Sequence, residues 1–264
     1  MLHIINSYLK FLYYSKNEHG VHSPFIFDLV TKSFYDKTNY PEYSILKKYR
    51  NSLLANKNVL EVTDFGAGSR VFKSNKRQVS KIAKTAGIST KRGQLLFRII
   101  KYFNPNEILE IGTSLGLATS ALSLGNPKSK IISLEGCPKI LEQCQLQFLS
   151  SRAQSNGIFN NIEFINTEFS NYLQQVSPSL VSGLIYFDGN HSKSATLEYF
   201  NLLLPTITNN SVWIFDDIHW SKEMENAWEI IKNHSKVTVT IDTFQWGIVF
   251  FRAEQGKEHF VIRV

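Results

Sequence analysis

The sequence predicts an α/β protein: a doubly wound, mostly parallel sheet with an antiparallel last strand, preceded by an N-terminal helical region. Three observations predict it. From Glu107 onward, short apolar runs rich in β-branched residues alternate with helix-length segments, the pattern of a parallel sheet covered by helices. EILEI leads into Gly112, KIISLE ends in Glu135, and LIYFDG and SVWIFDD end in or beside carboxylates, as strand ends that feed ligand-binding turns do. The last two runs, VTVTID (237–242) and WGIVFFR (246–252), lie only a few residues apart, too close for a crossover, so the final strand runs antiparallel to its neighbour.

Residues 1–106 read as mostly helical. In SPFIFDLVTKSFY (23–35), Ser23 is an N-cap and Pro24 takes the first helical position, where its missing N–H costs nothing. KRQVSKIAKTAG (76–87) sets Val79, Ile82, Ala83 and Ala86 at helical spacing and stops at Gly87. STKRGQLLFRIIKYF (89–103) repeats the pattern and ends at Asn104-Pro105. Residues 107–264 then form the ligand-binding domain. Its strands are EILEI (107–111), KIISLE (130–135), NIEFIN (161–166), LIYFDG (184–189) and SVWIFDD (211–217), followed by the final pair. Helices are predicted over 115–124, 138–156, 168–176, 194–204 and 221–234.

At 264 residues and 43% hydrophobic content the chain can bury a large core, and nothing in it reads as disordered. Cys137 and Cys144 have neither disulfide-framework nor metal-ligand spacing, which points to helix packing and a reducing cytoplasm. LHIINSYLKFLYY is broken by Asn6, Ser7 and Lys10 and is too short for a membrane span, so no membrane partner is expected. The net charge of +7 is concentrated between Phe65 and Asn106, where ten Lys or Arg stand with no Asp or Glu. Such a field attracts an anionic small molecule or nucleic acid, and a solvated basic helix face is the plainer reading. His19 and His22 in NEHGVHSPF read as a polar turn, not a metal pair, and Trp246 as a core residue.

Two turns compete for a nucleotide-like ligand: EVTDFGAGSR (61–70) and ILEIGTSLG (108–116). A cofactor turn needs glycine for close backbone approach and a helix starting directly after. It also needs an acid ending the next strand, to accept ribose hydroxyls. The second turn has all three: Gly112 and Gly116, the helix LATSALSL, and Glu135. The first is followed by FKSNKRQVSKIAK, with no acid-ending strand. It reads instead as a glycine-permitted turn at Gly66 and Gly68, folding as a lid with Asp64, Ser69 and Arg70 near the substrate. Between Gly112 and Gly116 no glycine makes room for a pyrophosphate, which argues against a dinucleotide. A ligand with a carboxylate, an amine and a ribose but no phosphate fits, and S-adenosylmethionine is such a ligand.

Two later strands end in acids, YFDGNHS (186–192) and IFDDIHW (214–220), at the sheet edge where open α/β folds bind ligands. Asp188, Asp216 and Asp217 could together hold a hard divalent cation such as Mg, which would activate a substrate hydroxyl. Without a cation, Asp188 or His191 is the general base. His219 is a weaker candidate of the same kind.

These segments, FDGNHSKSATLEYFNLLLP followed by VWIFDDIHW, resemble the O-methyltransferase-like branch of the class I S-adenosylmethionine-dependent methyltransferases. That branch has D-G-x-H after strand four and then a strand ending in Asp. The resemblance spans about residues 107–252 and implies a Rossmann-like, seven-stranded sheet with an antiparallel last strand. It implies that Gly112, Thr113, Ser114 and Gly116 surround the methionine end and that Glu135 binds the ribose. Thr167 and Glu168 approach the adenine, and Asp188 sits beside the transferred methyl. Glu110, in the strand entering the turn, joins the cofactor-binding set. Metal-dependent members have Asp-Asn after strand five, where this chain has Asp216-Asp217, and a lysine just beyond the strand-four acid, where Lys193 stands close.

The implied activity is methyl transfer from S-adenosylmethionine to an oxygen or nitrogen of a small-molecule acceptor, an anionic one where the basic segment attracts it. The alternatives are a non-catalytic cofactor-binding sensor or scaffold, and an RNA methyltransferase using the basic 70–101 segment; nucleic acid is the less favoured partner, and a homodimer is compatible with the sequence.

Overall fold

The computed structural model describes residues 2–63, 72–154, 158–176 and 183–264. The helices, in chain order, are α1 (Leu2–Tyr14), α2 (Pro24–Leu29), α3 (Glu42–Ala55), α4 (Val79–Thr85), α5 (Thr90–Phe103), α6 (Leu117–Gly125), α7 (Pro138–Gln154), α8 (Phe169–Leu173), α9 (Lys193–Leu203) and α10 (Lys222–Asn233). The strands are β1 (Val59–Glu61), β2 (Lys76–Gln78), β3 (Glu107–Ile111), β4 (Lys130–Glu135), β5 (Ile162–Asn166), β6 (Leu184–Phe187), β7 (Val212–Asp216), β8 (Val239–Asp242), β9 (Trp246–Phe250) and β10 (Glu258–Val261).

By its contacts the chain forms two compact units, one of residues 36–169 and one of residues 1–35 with 170–264. The boundary predicted at 106/107 falls inside the first of these. Of the N-terminal helices, α1 and α2 belong to one unit and α3, α4 and α5 to the other.

In the unit of residues 36–169, β3 and β5 flank β4, both parallel to it, with Leu109 opposite Ile132 and Leu134 opposite Ile165. β3 is buried at four of its five residues, while β5 is half-exposed along its length. The continuous apolar run of β3 is what a strand covered on both faces requires. α6 (LATSALSLG) is buried all round, which explains its Ala, Leu and hydroxyl composition. α5 is amphipathic; Ser89 caps it by accepting from the Arg92 amide, and Asn104 ends it in the left-handed region at φ 46°. A short antiparallel pair, β1 with β2, joins Val59 to Gln78 inside the region predicted to be helical. β2 takes the first three residues of the stretch KRQVSKIAKTAG, and the predicted helix begins at Val79.

In the other unit β6 pairs parallel with β7, and β9 lies between β7 and β8, antiparallel to both. This is the antiparallel last strand that the short 242–246 connection requires. β10 adds a strand that the sequence reading lacks, parallel to β8 with Phe260 opposite Ile241. β6, β7 and β9 are buried throughout, with Trp213, Ile214 and Ile248 fully so. Phe187 stacks on Phe215 at 4.1 Å between ring centroids. Trp246 is a core residue, 1% exposed. Ser23 caps α2 with Pro24 in the first turn, as predicted, and the helix passes into a π-helical turn at Val30–Phe34.

Candidate active site

The turn after β3 is built from hydrogen bonds within one unit. The amides of Gly112 and Thr113 both donate to the Leu134 carbonyl, at 3.0 and 2.9 Å, which ties the turn to β4. The Gly116 amide donates to the Thr113 carbonyl at 2.9 Å and closes a four-residue turn. Gly112 and Gly116 have φ of 105° and 75°, and Ser114 is held at 49°, all in the left-handed range that favours glycine. Gly116, the N-cap of α6, is glycine for a second reason. A Cβ there would meet Phe148 at 2.4 Å, the Tyr49 hydroxyl at 2.7 Å and the Cys144 sulfur at 2.8 Å.

Glu135 ends β4 with its carboxylate oriented by two backbone donors. The Ser114 amide donates to Oε2 at 2.8 Å and the Cys137 amide to Oε1 at 2.9 Å. The end of β5 clasps the same place: the Thr167 amide donates to the Glu135 carbonyl at 3.0 Å, and the Asn166 side-chain amide donates to the carbonyls of Glu135 and Gly136. Thr167 is half-buried and Glu168 exposed.

Beneath the turn, Glu110 is fully buried. Ser133 and Thr119 donate to its Oε2 at 2.5 and 2.6 Å, and the hydroxyls of Ser133 and Thr113 share a bond of 2.6 Å. Its Oε1 has no hydrogen-bond partner among the described residues. Burial, reinforced by the Glu135 charge and only partly opposed by the two hydroxyl bonds, pushes its pKa up to about 8. At neutral pH Glu110 is therefore largely protonated: it acts as a polar strut under the turn.

In the other unit, Asp188 follows β6 and stands 3.6 Å from the His191 ring nitrogen, both side chains being mostly buried. Asp216, at the end of β7, is 4% exposed and accepts from the Tyr186 hydroxyl at 3.2 Å and from the Asp217 amide at 2.8 Å. Asp217 sits at φ 55°. The helix that follows is capped not by these acids but by Ser221, whose hydroxyl accepts from the Met224 amide. Among the described residues no three His, Cys, Asp or Glu side chains form a group that could hold a metal ion. The Asp216 carboxylate, one of the three predicted for a cation, is engaged by a tyrosine and a backbone amide.

His219 is clamped between two carboxylates, Nδ1 at 2.7 Å from Glu225 and Nε2 at 2.8 Å from Asp242, and stacks on Phe244. His19 and His22 are exposed, as a polar turn would be. Asp64, Ser69 and Arg70, the predicted lid residues, lie outside the described residues, as do Gly66 and Gly68.

Sequence reasoning missed Tyr49, Ser133, Thr119 and Asn166. A serine inside the apolar run KIISLE and threonine and serines inside the helix LATSALSL were the available signal, since a hydroxyl buried in a core needs a partner.

Residues 109–218 match the family model described as a methyltransferase domain. The likeness is confined to that segment of the 264-residue chain. No curated protein matches its sequence. Among solved structures, the domain's fold is shared with the SAH-bound methyltransferase PaMTH1 of Podospora anserina, at 14% identity and a TM-score of 0.60 over 88% of this chain and 97% of that one. The O-methyltransferase of Bacillus cereus in complex with SAH aligns at 16% identity and 0.53 over 83% and 97%. The O-methyltransferase TomG of Streptomyces achromogenes, in complex with SAM, aligns at 12% and 0.55 over 82% and 92%. The likeness is thus to a methyltransferase domain over residues 109–218 and to the Rossmann-like fold of these neighbours. No described helix is long and apolar enough to cross a membrane.

Proposed function

We propose that this protein moves a methyl group from S-adenosylmethionine to an oxygen of a small-molecule acceptor, with the 112–116 turn and Glu135 holding the cofactor. The single observation that carries the reading is the Glu135 carboxylate, fixed at the end of β4 by the amides of Ser114 and Cys137. A carboxylate held in this way is pre-set to accept the two ribose hydroxyls, and pre-orientation lowers the cost of binding. The left-handed backbone at Gly112 and Ser114 and the buried strut of Glu110, with its one unpartnered oxygen, keep the turn in the shape that approach of a ligand demands. The residues present therefore fit S-adenosylmethionine.

When bound, the cofactor supplies an electrophilic methyl on a sulfonium. The protein's own contribution is then mainly positioning. Gly112, Thr113, Ser114 and Gly116 take the methionine end, and Thr167 with Glu168 the adenine side. Asp188, with a ring nitrogen of His191 3.6 Å away, is the candidate general base for the acceptor hydroxyl. The choice of oxygen is supported by the two neighbours named as O-methyltransferases.

The test is label transfer from methyl-labelled cofactor to a panel of phenols, catechols and hydroxy acids. The expected result is turnover of at least one acceptor by the wild type. Asp188→Asn should lower kcat about 100-fold or more while leaving cofactor affinity within about threefold. Tight cofactor binding with no transfer to any acceptor would instead favour a sensor role.

A further inference from the structure

Helix α3 supplies the far side of the cofactor turn. Tyr49, 2% exposed, directs its hydroxyl to the Leu115 carbonyl, with 2.9 Å between the oxygens, and lies against the bare Cα of Gly116. Its ring packs on Phe148 and Phe159, at 4.9 and 6.1 Å between centroids. Leu115 and Gly116 share one peptide plane. Its carbonyl is pinned by Tyr49, and its N–H is pinned to the Thr113 carbonyl at 2.9 Å. The turn so closed carries Ser114 at a φ of 49°, strained for a residue with a side chain, and Ser114 donates to Glu135. Strain of that kind persists only where the surroundings over-determine it.

We infer that Tyr49 is a positioning residue for cofactor binding: its hydroxyl sets the Leu115–Gly116 peptide, and through the closed turn sets the Ser114 amide that orients Glu135. The inference rests on the proposed cofactor role of this turn. Burial pushes the tyrosine pKa up, so the phenol stays protonated and available to donate at every working pH. Tyr49 lies in α3, a stretch of the N-terminal region to which the sequence pattern assigned no role.

The experiment uses Tyr49→Phe in the full chain, which keeps the ring packing on Phe148 and Phe159 and removes only the hydroxyl. Three readings are taken: the Kd for S-adenosylhomocysteine, the thermal midpoint without ligand, and the amide resonances of Ser114 and Gly116. The expected result is a Kd raised about five- to twentyfold. The midpoint should stay within about 4 °C of wild type, the shift expected of one lost buried hydrogen bond. The Ser114 and Gly116 resonances should move in the ligand-free protein. An unchanged Kd overturns the inference, and so does a raised Kd with both resonances unmoved. If the wild type binds no S-adenosylhomocysteine, the proposed function falls, and motion of the two resonances still decides whether Tyr49 sets the turn.

Discussion

The Ser114 amide donates to the Glu135 carboxylate at 2.8 Å, and this bond joins the turn after β3 to the end of β4. The Cys137 amide holds the other carboxylate oxygen at 2.9 Å, so both oxygens are committed to backbone donors. Glu135→Gln puts an NH2 group against one of these N–H donors and removes the charge. It should destabilise the ligand-free protein by about 1–3 kcal/mol, the cost of a buried donor left without its acceptor. Urea denaturation checks this, and a midpoint equal to wild type would show that the two bonds contribute nothing.

Gly116 combines left-handed backbone with close packing. Gly116→Ala places a methyl 2.4 Å from the Phe148 ring at a φ of 75°. The strain and overpacking should together cost about 2–4 kcal/mol, measured by the same denaturation. A loss below about 0.5 kcal/mol would mean that α3 and α7 yield easily around the turn.

Glu110 gives a pH dependence with a defined sign. Its folded-state pKa, about 8, lies above the ordinary 4.5, because burial penalises the charged form. The folded protein therefore holds this proton more tightly than the unfolded chain does. The stability it contributes is complete below pH 4.5 and is lost as pH rises through about 8. Glu110→Gln should remove that slope and be relatively more stable than wild type at pH 8.5 than at pH 5, as thermal midpoints across this range would report. Parallel profiles for the two proteins would contradict the assignment.

His219 titrates with the same sign. Burial alone lowers its pKa, but the hydrogen bonds and charges of Asp242 and Glu225 outweigh burial and leave it raised above 6.5. Glu225 is correspondingly lowered by Ser7, His219 and His3, though burial works against this. With a carboxylate on each ring nitrogen, both nitrogens donate only when the imidazole is protonated. The clamp is thus complete below pH 6.5 and weakens as pH rises through the folded-state value. A histidine NMR titration should show the His219 midpoint above 6.5 and its return toward that value in Asp242→Asn.

The alternation of strands and helices from Glu107 to Phe250 was legible because each strand is a continuous apolar run with its own turn residues. The antiparallel β9 followed from one distance along the chain. The pair β1 and β2 was hidden because β2, KRQ, has no apolar alternation and runs directly into helix α4. β10, EHFV, was equally obscure, a short strand half-exposed on one side of β8. The proximity of the 112–116 turn to Glu135 was legible from spacing, since a turn and the next strand end recur at a fixed interval. Tyr49 could not: it lies 66 residues from the carbonyl it holds, and no local pattern records that contact. The partner of Asp216 was equally illegible: Tyr186 lies 30 residues away, and nothing local marks its hydroxyl as a donor to that carboxylate.

The central claim is that the 112–116 turn and Glu135 hold S-adenosylmethionine, and calorimetric titration with S-adenosylhomocysteine tests it most directly. The account predicts one site per chain with a Kd on the order of 1–100 μM for the wild type, weakened at least about tenfold in Glu135→Ala, a loss of about 1.4 kcal/mol or more. No heat of binding to the wild type, or the same Kd in Glu135→Ala, would contradict it.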